Sequence, residues 1–95
     1  MKKVVYKFPV VCDNVVLPLN AEILSVKIVK SDICIYALVD PTETANKKHE
    51  VLIMGTGCTL DEALQEKIEK MTFLDTLIEP DEFFGEMVWH VWVEK

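Results

Sequence analysis

Three groups of residues have side chains or backbone suited to chemistry or ligand contact. The first is Gly55-Thr56-Gly57, where an apolar run, Val51 to Met54, meets a helical pattern. A strand, a glycine turn and a helix start present free N–H groups and a positive dipole end, which suit a small anion. The stretch lacks the Lys-Ser/Thr of a P-loop and the spaced glycines and βαβ repetition of a dinucleotide fold. It reads equally as a tight turn that needs positive φ before a helix N-cap. Asp61 and Glu62 already place negative charge in the first helical turn, which disfavours an anion. The second group is aromatic. His90 lies between Trp89 and Trp92. Rings so placed stack on a nucleobase for about 1–3 kcal/mol per base, or simply fill a half-buried strand. Tyr36 carries the same two readings. The third group is nucleophilic. Cys58 beside a helix start suits a thiolate, with His90 as its base. Nothing in the spacing joins the two, and Ser25 and Ser31 lack a nucleophile-elbow context. The histidines and cysteines show no metal-ligand spacing, and His49 falls in a polar stretch that reads as solvated. The chain is therefore expected to have no catalytic residue, no metal and no cofactor.

Elements must position these groups. Val4–Val10 is β-branched and aromatic and reads as an edge strand closed by Pro9. Cys12-Asp13-Asn14 is a turn, and Val15–Leu19 is a second short strand. Glu22–Lys30 alternates, with Leu24, Val26, Ile28 and Lys30 expected on the buried face. Ser31-Asp32 is the expected hairpin loop before Ile33–Asp40, an almost wholly apolar central strand. Pro41–His49 reads as a polar, mobile loop, and Glu50–Gly57 as another strand. Thr59 and Glu62 form a capping-box signature. Leu60, Leu64, Ile68 and Met71 repeat at helical spacing behind it. Thr72–Ile78 is a strand, Glu79-Pro80-Asp81 a turn, and Phe83–Lys95 a long closing strand. The order predicts a mainly β, α+β domain over residues 1–95. Its expected form is an antiparallel β sandwich or open barrel of about seven strands with one helix.

Bulk properties narrow the function. The net charge is −6, and all ten basic residues are lysine. With no arginine and no basic face in view, nucleic-acid polymers and anionic membranes are excluded as expected partners. Cys12, Cys34 and Cys58 form no Cys-x-x-Cys and no even set, which predicts reduced thiols in the cytoplasm. Neither a secretory leader nor an 18-residue apolar span is expected. Apolar residues make up 51% of the chain and mean hydropathy is +0.22. That surplus either fills a small core or leaves apolar patches for self-association, and a homo-oligomer is expected.

Five segments in order carry a family resemblance. They are "VVYKFPV", "LPLNAEILSVKI", "CIYALVDP", "LIMGTGCTL" and "GEMVWHVW". Together they resemble a family of small phage and prophage proteins, mostly of unknown function. That family is similar in turn to compact viral sponges that sequester cyclic nucleotide signals of antiphage immunity. The resemblance spans nearly the whole chain, with gaps at Pro41–His49 and the helix. It implies a phage-encoded, non-enzymatic protein that binds a small cyclic nucleotide in the host cytoplasm. Tyr36, Gly55, Thr56, Gly57, His90 and Trp92 are the ligand-binding positions it implies. Cys58 departs from the histidine expected of many members, so a role for that histidine does not transfer. Without arginine, lysine, hydroxyl or backbone donors must meet any phosphate. A protein-interaction module that inhibits or scaffolds a host or virion protein through a sheet edge or apolar face is the other reading.

Overall fold

Among the described residues, period-two alternation of apolar residues becomes seven strands, and the helix-period stretch becomes a short helix. The computed structural model describes residues 2–94. The strands are β1 (Val4–Pro9), β2 (Asn14–Pro18), β3 (Glu22–Val29), β4 (Asp32–Val39), β5 (Asn46–Gly55), β6 (Met71–Asp81) and β7 (Gly85–Glu94). Helix α1 spans Glu62–Glu69 between β5 and β6. One antiparallel sheet has the order β1-β4-β3 and the other β2-β5-β7-β6. Val15, Leu17, Val51, Leu77, Val91 and Val93 from the second sheet meet Val26, Ile35, Ala37 and Val39 from the first in one core. The result is the expected mainly β architecture, curled as a half-barrel around that core.

β4 is central in its sheet, as its apolar run predicts, and buries Ile35, Ala37 and Val39 on one side. Tight turns join the strands. Lys30 and Ser31 form the β3–β4 loop at positive φ, with Val29 paired to Asp32, so the loop lies one residue earlier than expected. Cys12 and Asp13 repeat this geometry between β1 and β2, where Val11 bridges Asn14. Two consecutive residues at positive φ match the right-handed twist of the flanking strands.

Four expectations need correction. The register of β3 shifts between Ile23 and Ser25. This bulge turns Ile23 inward and leaves Leu24 half exposed, against the simple alternation that buried Leu24. The Pro41–His49 stretch is only partly loop, because Asn46–Glu50 pair with β2. His49 thereby lies opposite the buried Val15, half-buried rather than solvated, and its Nδ1 is buried without a hydrogen-bond partner. The helix starts later than the Thr59 capping box implies. Asp61 is the N-cap, its Oδ1 accepting from the Leu64 N–H at 2.8 Å, and Met71 opens β6 instead of ending the helix. Finally, Glu79-Pro80-Asp81 is not a turn. Pro80 pairs with Glu86 inside a long β6–β7 hairpin, whose loop is Glu82-Phe83-Phe84. Proline is tolerated there because β6 is an edge strand.

Candidate functional site

β7 carries Trp89, Val91 and Val93 on the core side, so His90 and Trp92 face away from the core. Across the ladder, Thr76 of β6 is directly opposite His90, and Phe73 is opposite Trp92. The β5–β7 pairing sets Gly55 opposite Trp89, so the turn that follows β5 arrives beside His90. In that turn the Cys58 N–H donates to the Gly55 carbonyl at 3.3 Å, and Gly57 takes φ 87°. Only glycine adopts that angle without strain. Gly55 has no such requirement; a Cβ there would sit 3.7 Å from the Trp89 ring, an ordinary contact.

The imidazole of His90 is held from both sides. Thr56 Oγ1 lies 2.8 Å from Nε2 and Thr76 Oγ1 lies 3.0 Å from Nδ1. A neutral ring donates from one nitrogen and accepts at the other, and each hydroxyl can take either role, so both tautomers are satisfied. Trp92 stands 6.4 Å from His90 between ring centroids, and Phe73 meets Trp92 edge-on at 5.2 Å. The outcome is an aromatic wall, Phe73–Trp92–His90, with two threonine hydroxyls at one end and Phe73 half exposed. Such a wall can stack a flat ring or bury an apolar side chain.

Of the six sequence-derived positions, Gly55, Thr56, Gly57, His90 and Trp92 come together on this outer face. Tyr36 does not join them. It lies in β4 opposite Lys7 and Ser25, on the outward face of the other sheet. Nor does the glycine turn lead straight into the helix. Residues 58–61 intervene, and the first helical N–H groups are served by Asp61, whose Oδ1 takes Leu64 and whose carbonyl takes Gln65 at 3.0 Å. A carboxylate fills the place an anion would take. The pairing of Cys58 with His90 is also absent. Cys58 Sγ leans on the Thr59 carbonyl at 4.0 Å, and both His90 nitrogens belong to threonines.

Two further features escape the sequence reading. Hollows of about 230 Å³ and 460 Å³ open elsewhere: one is walled by Ile28, Ile33, Ile53 and Trp89, the other by Phe8, Pro9, Val11 and Val16. The larger is a groove along the β1–β2 hairpin, with Lys48 on its wall. The second feature is the β6–β7 hairpin beyond the end of β5. Its last β5 partner is Trp89, so Gly85–Val88 and the β6 residues opposite them form a two-stranded arm. At its tip the Asp81 carboxylate accepts from the N–H groups of Phe83 and Phe84 at 2.8 and 2.9 Å, and Gly85 turns back at φ 80°. Phe83 and Phe84 stand 86% and 78% exposed on that ordered loop.

A family model described as a domain of unknown function (DUF7352) matches residues 1–95. The chain belongs to that family. No curated protein and no solved structure matches this DUF7352 domain.

Proposed function

We propose that this DUF7352 domain is a non-enzymatic protein-interaction module that engages its partner with the β6–β7 arm. The pair Phe83–Phe84 carries this reading. Two large apolar side chains stand in water at the end of a loop that Asp81 holds in one shape. Burying each against a partner is worth about 1.5–3 kcal/mol, and a preordered loop lowers the entropic cost of doing so. Aromatic anchors of this kind dominate interface energetics. A photo-crosslinking amino acid placed at position 83 tests the idea in cells. It is expected to trap one stoichiometric protein, either another protein or a second copy. Trapping no more than the same group at the exposed position Lys27 rejects the arm as the contact.

A second reading follows the aromatic wall: a phage-encoded sponge that sequesters a small cyclic nucleotide in the host cytoplasm. Thr56, His90 and Trp92 lie together, and Trp92 with Phe73 would stack a base while the threonine hydroxyls meet its polar edge. Phosphates would be met by hydroxyl, backbone or lysine donors, and a homo-oligomer would enclose a face that is open in one subunit. Calorimetry against cyclic di- and trinucleotides is expected to give heat that Trp92→Ala abolishes. Absence of binding across the panel removes this reading and leaves the first in place.

A further inference from the structure

We infer that the arm's partner is the β1–β2 groove of a second copy of this chain, docked head to tail. This rests on the interaction-module reading and supplies its missing half. The groove is apolar, about 460 Å³, and walled by Phe8, Pro9, Val11 and Val16. That volume falls in the roughly 300–1,000 Å³ range of hollows that bury compact apolar groups. Val11 and Val16 are 60% and 53% exposed, so the groove has apolar surface to lose as the arm does.

Charge distinguishes a second copy from an arbitrary apolar partner. From Met71 to Glu94 the chain has no lysine, and the arm's Phe pair is flanked by Glu79, Asp81, Glu82 and Glu86. The charged side chain lining the groove is Lys48. Asp13 is the one acidic residue between Val4 and Pro18. An acidic, aromatic tip therefore meets an apolar slot with a basic wall, the complementarity that sets register and speeds encounter.

Topology rules out the alternative that the arm fills its own groove. β2 pairs with Asn46–Glu50 at the start of β5, while the arm extends past Gly55 at its end. Val16 is opposite Lys48, and Gly55 is opposite Trp89. The path from Lys48 to Gly55 and on from Trp89 to Gly85 covers eleven residue steps, roughly 36 Å at about 3.3 Å each. That contour is most of the molecule's longest dimension of 45 Å, so tip and groove are well separated along the sheet. A contact between unlike patches on two copies is heterologous, and it propagates unless rotation closes it into a ring.

Sedimentation of the full chain over rising concentration tests this, using two variants whose altered side chains are exposed. The double variant Phe83→Ser/Phe84→Ser blunts the tip, and Val16→Glu spoils the groove. Wild type is expected to self-associate, and each variant to associate about a hundredfold more weakly or worse. Mixing the two variants is expected to restore a 1:1 complex that grows no further, because one good tip meets one good groove. Unchanged melting curves show that both fold. Independently of either variant, crosslinks from position 83 are expected to map to residues 8–16 of another copy. A monomeric wild type, a mixture that fails to pair, or crosslinks mapped elsewhere overturns the inference. If wild type is monomeric yet position 83 traps a different protein, the second-copy partner is wrong and the interaction-module reading stands. If position 83 traps nothing, both fall.

Discussion

At Ser31 the backbone takes φ 71°, and at Lys30 φ 50°. Residues with a Cβ lose about 1–2 kcal/mol in this region, which glycine avoids. Ser31→Gly is therefore expected to stabilise the fold by about 0.5–1 kcal/mol after the extra freedom of an unfolded glycine is subtracted. A melting temperature higher by a few degrees would register it, since about 4–8 °C accompanies each kcal/mol in a domain this size. A lower melting temperature would mean that the hydroxymethyl group, which lines the smaller hollow, matters more than the turn. His90 shows how far single residues were legible. Its type and aromatic neighbours mark it, but its clamp depends on Thr76, fourteen residues away and brought opposite by strand register. A turn centred on Pro80 would set His90 opposite Lys70. The true loop, Glu82 to Phe84, sets it opposite Thr76. The local turn signal of Glu79-Pro80-Asp81 masks the longer strand of β6, so the clamp is not legible in the sequence.

Among the elements, β3 offers the cleanest test of register. Ile23 packs on the core and Leu24 is half exposed because of the bulge. Leu24→Ser is expected to change stability by less than about 0.5 kcal/mol, as exposed substitutions do. Ile23→Ala, by contrast, is expected to cost about 1–2 kcal/mol, a fraction of the full-burial range. Denaturant midpoints with unchanged slopes would measure both. The reverse order would restore the unbulged alternation. The seven strands and the helix of the described residues are legible, because alternation or β-branched runs bounded by turn residues mark strands as short as β2, and helical spacing marks α1. Their ends are not. β5 and β6 each run further than composition suggests, since pairing with β2 and β7 recruits the polar Asn46–His49 and the proline-bearing Glu79–Asp81 into strands. Helix α1 lost both ends of its expected range. Asp61 caps better than Thr59 in that geometry, and Met71 gains burial by joining a sheet.

For the molecule as a whole, shape is the unexpected property. The Cα radius of gyration is 14.5 Å, where a compact chain of this length has about 12.4 Å. The extents of 45 × 33 × 19 Å are long and flat, and the arm carries the sheet past the end of β5. X-ray scattering from the monomeric Phe83→Ser/Phe84→Ser variant is expected to remain well above the compact figure. A value near it would mean that the arm folds back onto the body. The apolar surplus visible in composition is resolved here: besides the core, Val5, Val11, Val16, Leu24, Phe73, Ile78, Phe83 and Phe84 remain at least 49% exposed. Composition could count that surplus but not locate it.

β5 has a consequence for how this chain comes off a ribosome. Its first half pairs with β2 and its second half with β7, so it is the strand that ties β2 into the second sheet. Val16 and its partner Lys48 are 32 residues apart (48 − 16). At about 5–20 residues per second, β2 waits roughly two to six seconds for that partner to be synthesised. During that interval Val15 and Leu17, each 1% exposed in the finished fold, have no sheet to enter. The strand that waits is only five residues long and ends in Pro18, which cannot donate to a ladder. A nascent chain with a short, proline-stopped strand offers little to a neighbouring polypeptide while its own partner is still being made.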